Sequence, residues 1–237
     1  MKSKPSLEIL EFVMGFYQKK SEEDFNELCR KTYGKNHNIK YSPELSLCQW
    51  ASDKAYRDVC RTITFSDADK DHARMKKRMD ATKIICDRIG GLNLDTNYDQ
   101  WHQELCEKID ELYDGFIDNK KLNIRTLSVG QIQKWINMTM KWLWIYTSTV
   151  DSPEYFQGIS AQTDKLHIPL DSYILAYIKE NHSLQLSQSS TWSQITDYEK
   201  VYRKYQENFH NILGETQSPI EWELANWKNA LNMNIKN

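Results

Sequence analysis

Residues 128–146 set two lysines, Lys134 and Lys141, and one asparagine, Asn137, among side chains that are otherwise mostly apolar. At about 100° per residue, Val129, Ile132, Ile136, Met140 and Leu143 share one helical face, while Trp135, Met138, Trp142 and Ile145 carry apolar surface around most of the rest. Such a helix is buried over most of its girth. The two lysines stand seven residues apart, about 20° from eclipsed, so with Asn137 they form one polar line. A lysine embedded in this way has three explanations. Its amine reaches water at a rim, it pairs with a carboxylate, or desolvation leaves it uncharged and able to act as a nucleophile.

A carboxylate of the right kind stands in His167-Ile168-Pro169-Leu170-Asp171-Ser172-Tyr173. Pro169 fixes the approach to a helix, and Asp171 can accept an amide of the first turn as an ordinary cap. The same carboxylate can instead stand at the helix mouth beside the lysine of the preceding helix. Upstream of Lys134, Leu127-Ser128-Val129-Gly130 can form a tight turn whose outward amides, at Val129 and Gly130, would hold a phosphate at the helix N-terminus.

The elements that must position these groups are helical. Only 8 Gly and 5 Pro punctuate the 237 residues, and apolar residues recur at three and four rather than two, which predicts an all-α fold. Start and stop signals predict helices over 5–17, 21–34, 43–63, 73–89, 98–116, 128–146, 169–181, 191–213 and 218–231. Residues between 146 and 167 read as a Ser/Thr/Gln-rich connection. The length suits one large domain or two small ones, and there is no internal repeat or low-complexity tract.

Charge is unevenly spread. The totals, 31 basic and 33 acidic residues, give −2, so the overall field does not draw the protein to nucleic acid, and a polyanion needs a local patch. Eight carboxylates fall in 95–118 against one lysine, Lys108, opposite the lysine- and arginine-rich helix 73–89; mutual neutralisation is the simple expectation for these two runs. From 119 to 150 there is no acidic residue, and Lys120, Lys121, Arg125, Lys134 and Lys141 make this the best phosphate-facing surface. No apolar run approaches the ~20 residues needed to cross a bilayer. Pro5 and Glu8 interrupt what a signal peptide would need, so a cytoplasmic or nucleoid-associated location is expected. Cys29, Cys48, Cys60, Cys86 and Cys106 are too widely spaced for a CxxC clamp, and buried thiols with no metal centre are expected.

Taken together, Val129-Gly130, Lys134 and Ile168-Pro169-Leu170-Asp171 resemble the core of the helix-hairpin-helix DNA glycosylase superfamily: a Gly-rich hairpin, a lysine early in the next helix, and a Val/Ile-Pro-x-Asp segment. The pattern is most similar to the archaeal 8-oxoguanine glycosylase branch, with Gln133-Lys134, Lys141 one heptad on, and a gap of 37 residues from Lys134 to Asp171. The resemblance covers about 126–176. It departs from the superfamily in keeping one hairpin glycine rather than two, and it lacks the cysteine cluster of some branches.

The resemblance implies a single two-lobed all-α domain over 1–237 with a cleft between lobes. A core lobe at about 98–181 would carry the hairpin and the catalytic helix, and the helices of 1–97 and 182–237 would complete the lobes. It implies base excision without a cofactor by a monomer acting on double-stranded DNA, with Lys134 as nucleophile and Asp171 as its carboxylate partner. Lys120, Lys121, Arg125, Val129, Gly130 and Lys141 would contact DNA. Gln133, Trp50, Trp192, Trp222 and Trp227 are candidates for the pocket of the everted base, although tryptophans on amphipathic helices are more often core. The target would be an oxidised purine or a hypermodified phage base, with strand cleavage left open. The rival reading is a non-enzymatic helical module that binds DNA or a partner protein through 119–150.

Overall fold

A computed structural model describes residues 43–66, 71–149, 156–187 and 191–235. The predicted helices at 5–17 and 21–34, and Cys29, lie outside the described residues. The fold is all-α: the described residues contain no strand, only the isolated antiparallel bridges Phe65 with Ile117 and Asn119 with Ile124.

The helices are α1 (Pro43–Val59), α2 (Asp71–Gly90), α3 (Tyr98–Tyr113), α4 (Val129–Thr149), α5 (Gln157–Ala161), α6 (Ser172–His182), α7 (Lys204–Leu213) and α8 (Pro219–Ile235). Local chemistry sets their ends. Ser128 Oγ accepts the Gln131 amide at 3.1 Å while Gln131 Oε1 accepts the Ser128 amide at 3.0 Å, a reciprocal capping box that starts α4. Ser218 and Glu221 do the same for α8. Asn97 caps α3, and Gly115, at φ +72°, turns the chain away after it.

Helix α4 is the axis of the molecule. Helix α1 runs antiparallel along it: Gln131 Nε2 donates to Thr62 O at 2.7 Å, Trp135 Nε1 to Ser52 O at 3.0 Å, and Trp142 meets Trp50 edge-on at 6.2 Å. Helix α2 bridges α1 and α3 through Ser52–Thr82 at 3.1 Å and Arg88–Glu104 at 2.7 Å. The latter is one point of the expected neutralisation between the basic and acidic helices. Apolar side chains form two clusters. One surrounds α4 with α1, α2 and α3; the other gathers Ile168, Leu170, Ile174, Tyr202, Phe209 and Trp222.

Two stretches differ from expectation. The connection 147–167 contains the short helix α5, whose Gly158 lies so close to Leu92 that a Cβ there would sit 1.9 Å from its carbonyl oxygen. The predicted long helix from Thr191 is instead a 3-10 turn, Trp192–Gln194, a break capped by Asp197, and a π-helical turn, Tyr198–Arg203, leading into α7. The break follows from docking. Ile195 is extended, at φ −66° and ψ 124°, and in that conformation its O accepts the Gly130 amide at 3.0 Å.

Candidate functional site

Lys134 and Asp171 meet. Lys134 Nζ lies 3.3 Å from Asp171 Oδ2, and the two side chains are 10% and 8% exposed. Asp171 is also the N-cap of α6, where Oδ1 accepts the Ile174 amide at 2.9 Å. One carboxylate therefore fixes a helix start with one oxygen and faces an amine with the other. The Trp192 indole covers the amine, its ring centroid 4.5 Å from Nζ.

The extended segment leading to Asp171 is held by side-chain amides. Gln206 Nε2 donates to Ile168 O at 2.8 Å and Gln206 Oε1 accepts the Ile168 amide at 3.1 Å. Gln133 treats Leu170 in the same way, with both bonds at 3.3 Å. Asn137 Nδ2 joins the two, reaching Gln133 Oε1 at 3.0 Å and Ile168 O at 3.1 Å. Gln133, a candidate for the base pocket, has its amide engaged with backbone groups.

Lys141 is also paired. Its Nζ lies 2.5 Å from Glu223 Oε2, with side chains 6% and 1% exposed, and 5.3 Å from the Trp227 ring centroid. Burial pushes the Glu223 carboxyl up from its ordinary range and Lys141 opposes that rise. Lys141, expected at a DNA-facing surface, has its amine against a carboxylate of α8. Asp58 on α1, which no motif in the sequence singles out, faces the same charges. Burial raises its carboxyl while Lys134 and Arg61 draw it back down. Its neighbours in sequence carry no sign of this; it is brought in by the antiparallel packing of α1 on α4.

In the Val129-Gly130 turn the Gly130 amide is turned into the protein rather than outward. The Gly130 N–H is used by Ile195 O, a Cβ at Gly130 would lie 1.7 Å from Trp192 O, and Val129 packs against the second apolar cluster. Here the glycine permits close approach of protein backbone, not of a ligand. Lys120, Lys121 and Arg125 do remain exposed, on the turn that the Asn119–Ile124 bridge closes.

The tryptophans separate by position. Trp192 and Trp227 lie against the two lysines. Trp222 packs on Phe209 at 4.8 Å and His182 at 5.4 Å, and Trp50 on Trp142. Trp222 and Trp50, also candidates for the base pocket, are buried among these aromatic neighbours.

A second polar network, with no signature in the sequence, runs behind the pair. His102 Nε2 meets Asn137 Oδ1 at 2.8 Å and His102 Nδ1 meets Tyr198 OH at 2.8 Å. The Asn137 oxygen only accepts, so a neutral His102 carries its proton on Nε2 and accepts from Tyr198. Asn137 Nδ2 donates to Tyr202 OH at 2.8 Å, Tyr202 OH meets His167 Nδ1 at 2.9 Å, and His167 Nε2 meets Asp99 Oδ1 at 2.9 Å. Complete burial holds His102 well below its ordinary value, whereas the His167 hydrogen bond lowers the Asp99 carboxyl.

Among the described residues no group of three or more His, Cys, Asp or Glu is disposed to hold a metal ion, and no helix is long and apolar enough to cross a membrane. No protein-family model, no curated protein and no solved structure matches the chain.

Proposed function

We propose that the protein is a DNA glycosylase that removes a damaged or modified base by lysine chemistry. The observation that supports this most is the approach of the Lys134 amine to the Asp171 carboxylate, 3.3 Å apart and nearly withdrawn from water. Exposed lysines do not need such an arrangement, and low exposure strengthens every charge interaction within it. The target nucleotide leaves the duplex and enters the cleft between two lobes of a glycosylase-type fold. Access to the amine requires the Trp192 indole to move aside, and Trp192 and Trp227 are the aromatic surfaces available to stack on the everted base.

As the N-glycosidic bond breaks, its electron pair leaves with the base and positive charge develops on the sugar. The Asp171 carboxylate stabilises that charge. The Lys134 ammonium passes one proton to the departing base, the freed amine bonds to C1′, and a second N–H proton moves to O4′ as the C1′–O4′ bond breaks, which leaves a protonated Schiff base. Loss of a C2′ proton then permits elimination of the 3′ phosphate, which is strand cleavage. Lys120, Lys121 and Arg125 hold the flanking phosphates. The substrate class is an oxidised purine or a hypermodified phage base.

The test is to incubate the protein with duplexes bearing 8-oxoguanine or glucosylated hydroxymethylcytosine and to add borohydride. Base release and a trapped covalent adduct, both absent in Lys134→Gln, support the reading. Salt-sensitive DNA binding without either product marks the non-enzymatic module instead.

A further inference from the structure

We infer that Gln133 and Gln206 are positioning residues that clamp the Ile168–Leu170 backbone and so set the Asp171 carboxylate against the Lys134 amine. The inference deepens the proposed reaction and rests on that reading for its catalytic meaning.

The segment 166–171 is extended, and its peptide groups lie deep in the protein. A buried extended strand ordinarily satisfies its N–H and C=O groups on a neighbouring strand, and the described residues contain none. Two carboxamides take that place. Each has one donor and one acceptor in the same arrangement as a peptide, and each meets both the N–H and the C=O of a single residue: Gln206 at Ile168 and Gln133 at Leu170. In an extended chain, residues two apart present these groups along one edge. Pro169 between them has no N–H, so the opposite edge lacks a donor that would need a partner there.

Gln133 immediately precedes Lys134, and Leu170 immediately precedes Asp171. The clamp therefore ties the two backbones one residue away from the reacting pair on both sides. Gln206 anchors the same segment from α7, a separate element. Asn137, with no exposure, bonds the Gln133 amide oxygen and the Ile168 carbonyl that Gln206 also holds, so the two glutamines meet through one shared backbone group. A glutamate at 133 would keep the acceptor but lose the donor and place a charge at a position with no exposure. A leucine of similar size would fill the space and leave the Leu170 groups unpaired.

The experiment compares Gln133→Leu, Gln206→Leu and Asp171→Asn with the unmodified protein. One readout is single-turnover base release. A second is borohydride trapping on a duplex with a preformed abasic site, which needs the Lys134 amine but no departing base. A third, independent of activity, is the pH titration of the Lys134 ε-methylene NMR signal. A displaced carboxylate lowers base release by about a hundredfold and abasic-site trapping by less than about threefold. It also moves the Lys134 titration in the direction that Asp171→Asn moves it. Equal loss of both reactions in proportion to the unfolded fraction, or an unmoved titration in folded glutamine variants, overturns the clamp. An inactive unmodified protein whose Lys134 titration still responds to Gln133→Leu overturns the function and leaves the clamp standing.

Discussion

Asp171 faces Lys134 with Oδ2, at 3.3 Å, while its Oδ1 accepts the Ile174 amide at 2.9 Å. The geometry that starts helix α6 is therefore also the geometry that aims a carboxylate at the amine. Capping alone is satisfied by several residue types; pairing with an ammonium requires the charge.

Asp171→Asn separates these roles. Asparagine caps as well as aspartate, so α6 is retained, and the loss in urea unfolding, about 3 kcal/mol, comes from leaving the nearly buried Lys134 ammonium without its carboxylate. Base release falls by ~10²-fold or more because charge on the sugar is no longer countered. Asp171→Ala loses both, and its midpoint falls below that of the asparagine variant.

Gly130→Ala drives a Cβ to 1.7 Å from Trp192 O, backbone against backbone, with no flexible side chain to yield. The 3-10 turn at 192–194 shifts and takes the indole off Lys134. A loss of about 1–3 kcal/mol in thermal unfolding is expected, together with a change in tryptophan emission. An unchanged melting temperature would show that the two segments are not docked.

Lys141→Met leaves Glu223 buried without its cation, which costs about 3–5 kcal/mol. The double variant Lys141→Met/Glu223→Leu recovers most of that loss in chemical denaturation, because no unpaired charge remains. A phosphate-binding lysine would behave oppositely, with little effect on folding and weaker DNA affinity.

Removing Lys120, Lys121 and Arg125 together flattens the dependence of log affinity on log salt by about 0.9 for each phosphate no longer neutralised. Fluorescence anisotropy over a salt series measures it. The same variant keeps its folding stability, since these side chains are exposed.

Acid sensitivity follows from His102. The folded protein keeps this imidazole neutral, while the unfolded chain binds a proton near pH ~6.5. The unfolded state then holds more protons, so stability present above that value declines as pH falls, by up to about 1.4 kcal/mol per unit, until the depressed folded value is reached. Asp99 adds a loss of the same sign, confined to pH below about 4, where the unfolded carboxyl takes up a proton before the lowered folded one does. His102→Gln flattens the higher window in urea titrations from about pH 5 to 7.5 and leaves the lower one.

Periodicity made the helices readable, because it records which side of a helix meets water, and each helix carries that record within its own residues. The burial of α4, the cap at Asp171 and the start of α8 could be read in this way. So could the prospect of a carboxylate for Lys134, since an embedded ammonium has few other ways to be stable. What could not be read was which distant groups would share each enclosed space. Gly130 looked like a phosphate turn because a glycine is compatible with any close approach, whether by a ligand or by the Trp192 carbonyl. Lys141 looked free because Glu223 stands on α8, and nothing local to α4 announces it. The amides of Gln133 and Gln206, the carboxyl of Asp58 and the histidine network acquire their roles only when α1, α3, α4 and α7 are packed together. Hydrogen bonds and ion pairs act over a few ångströms in space, at any separation along the chain, so their partners are chosen by packing and not by pattern.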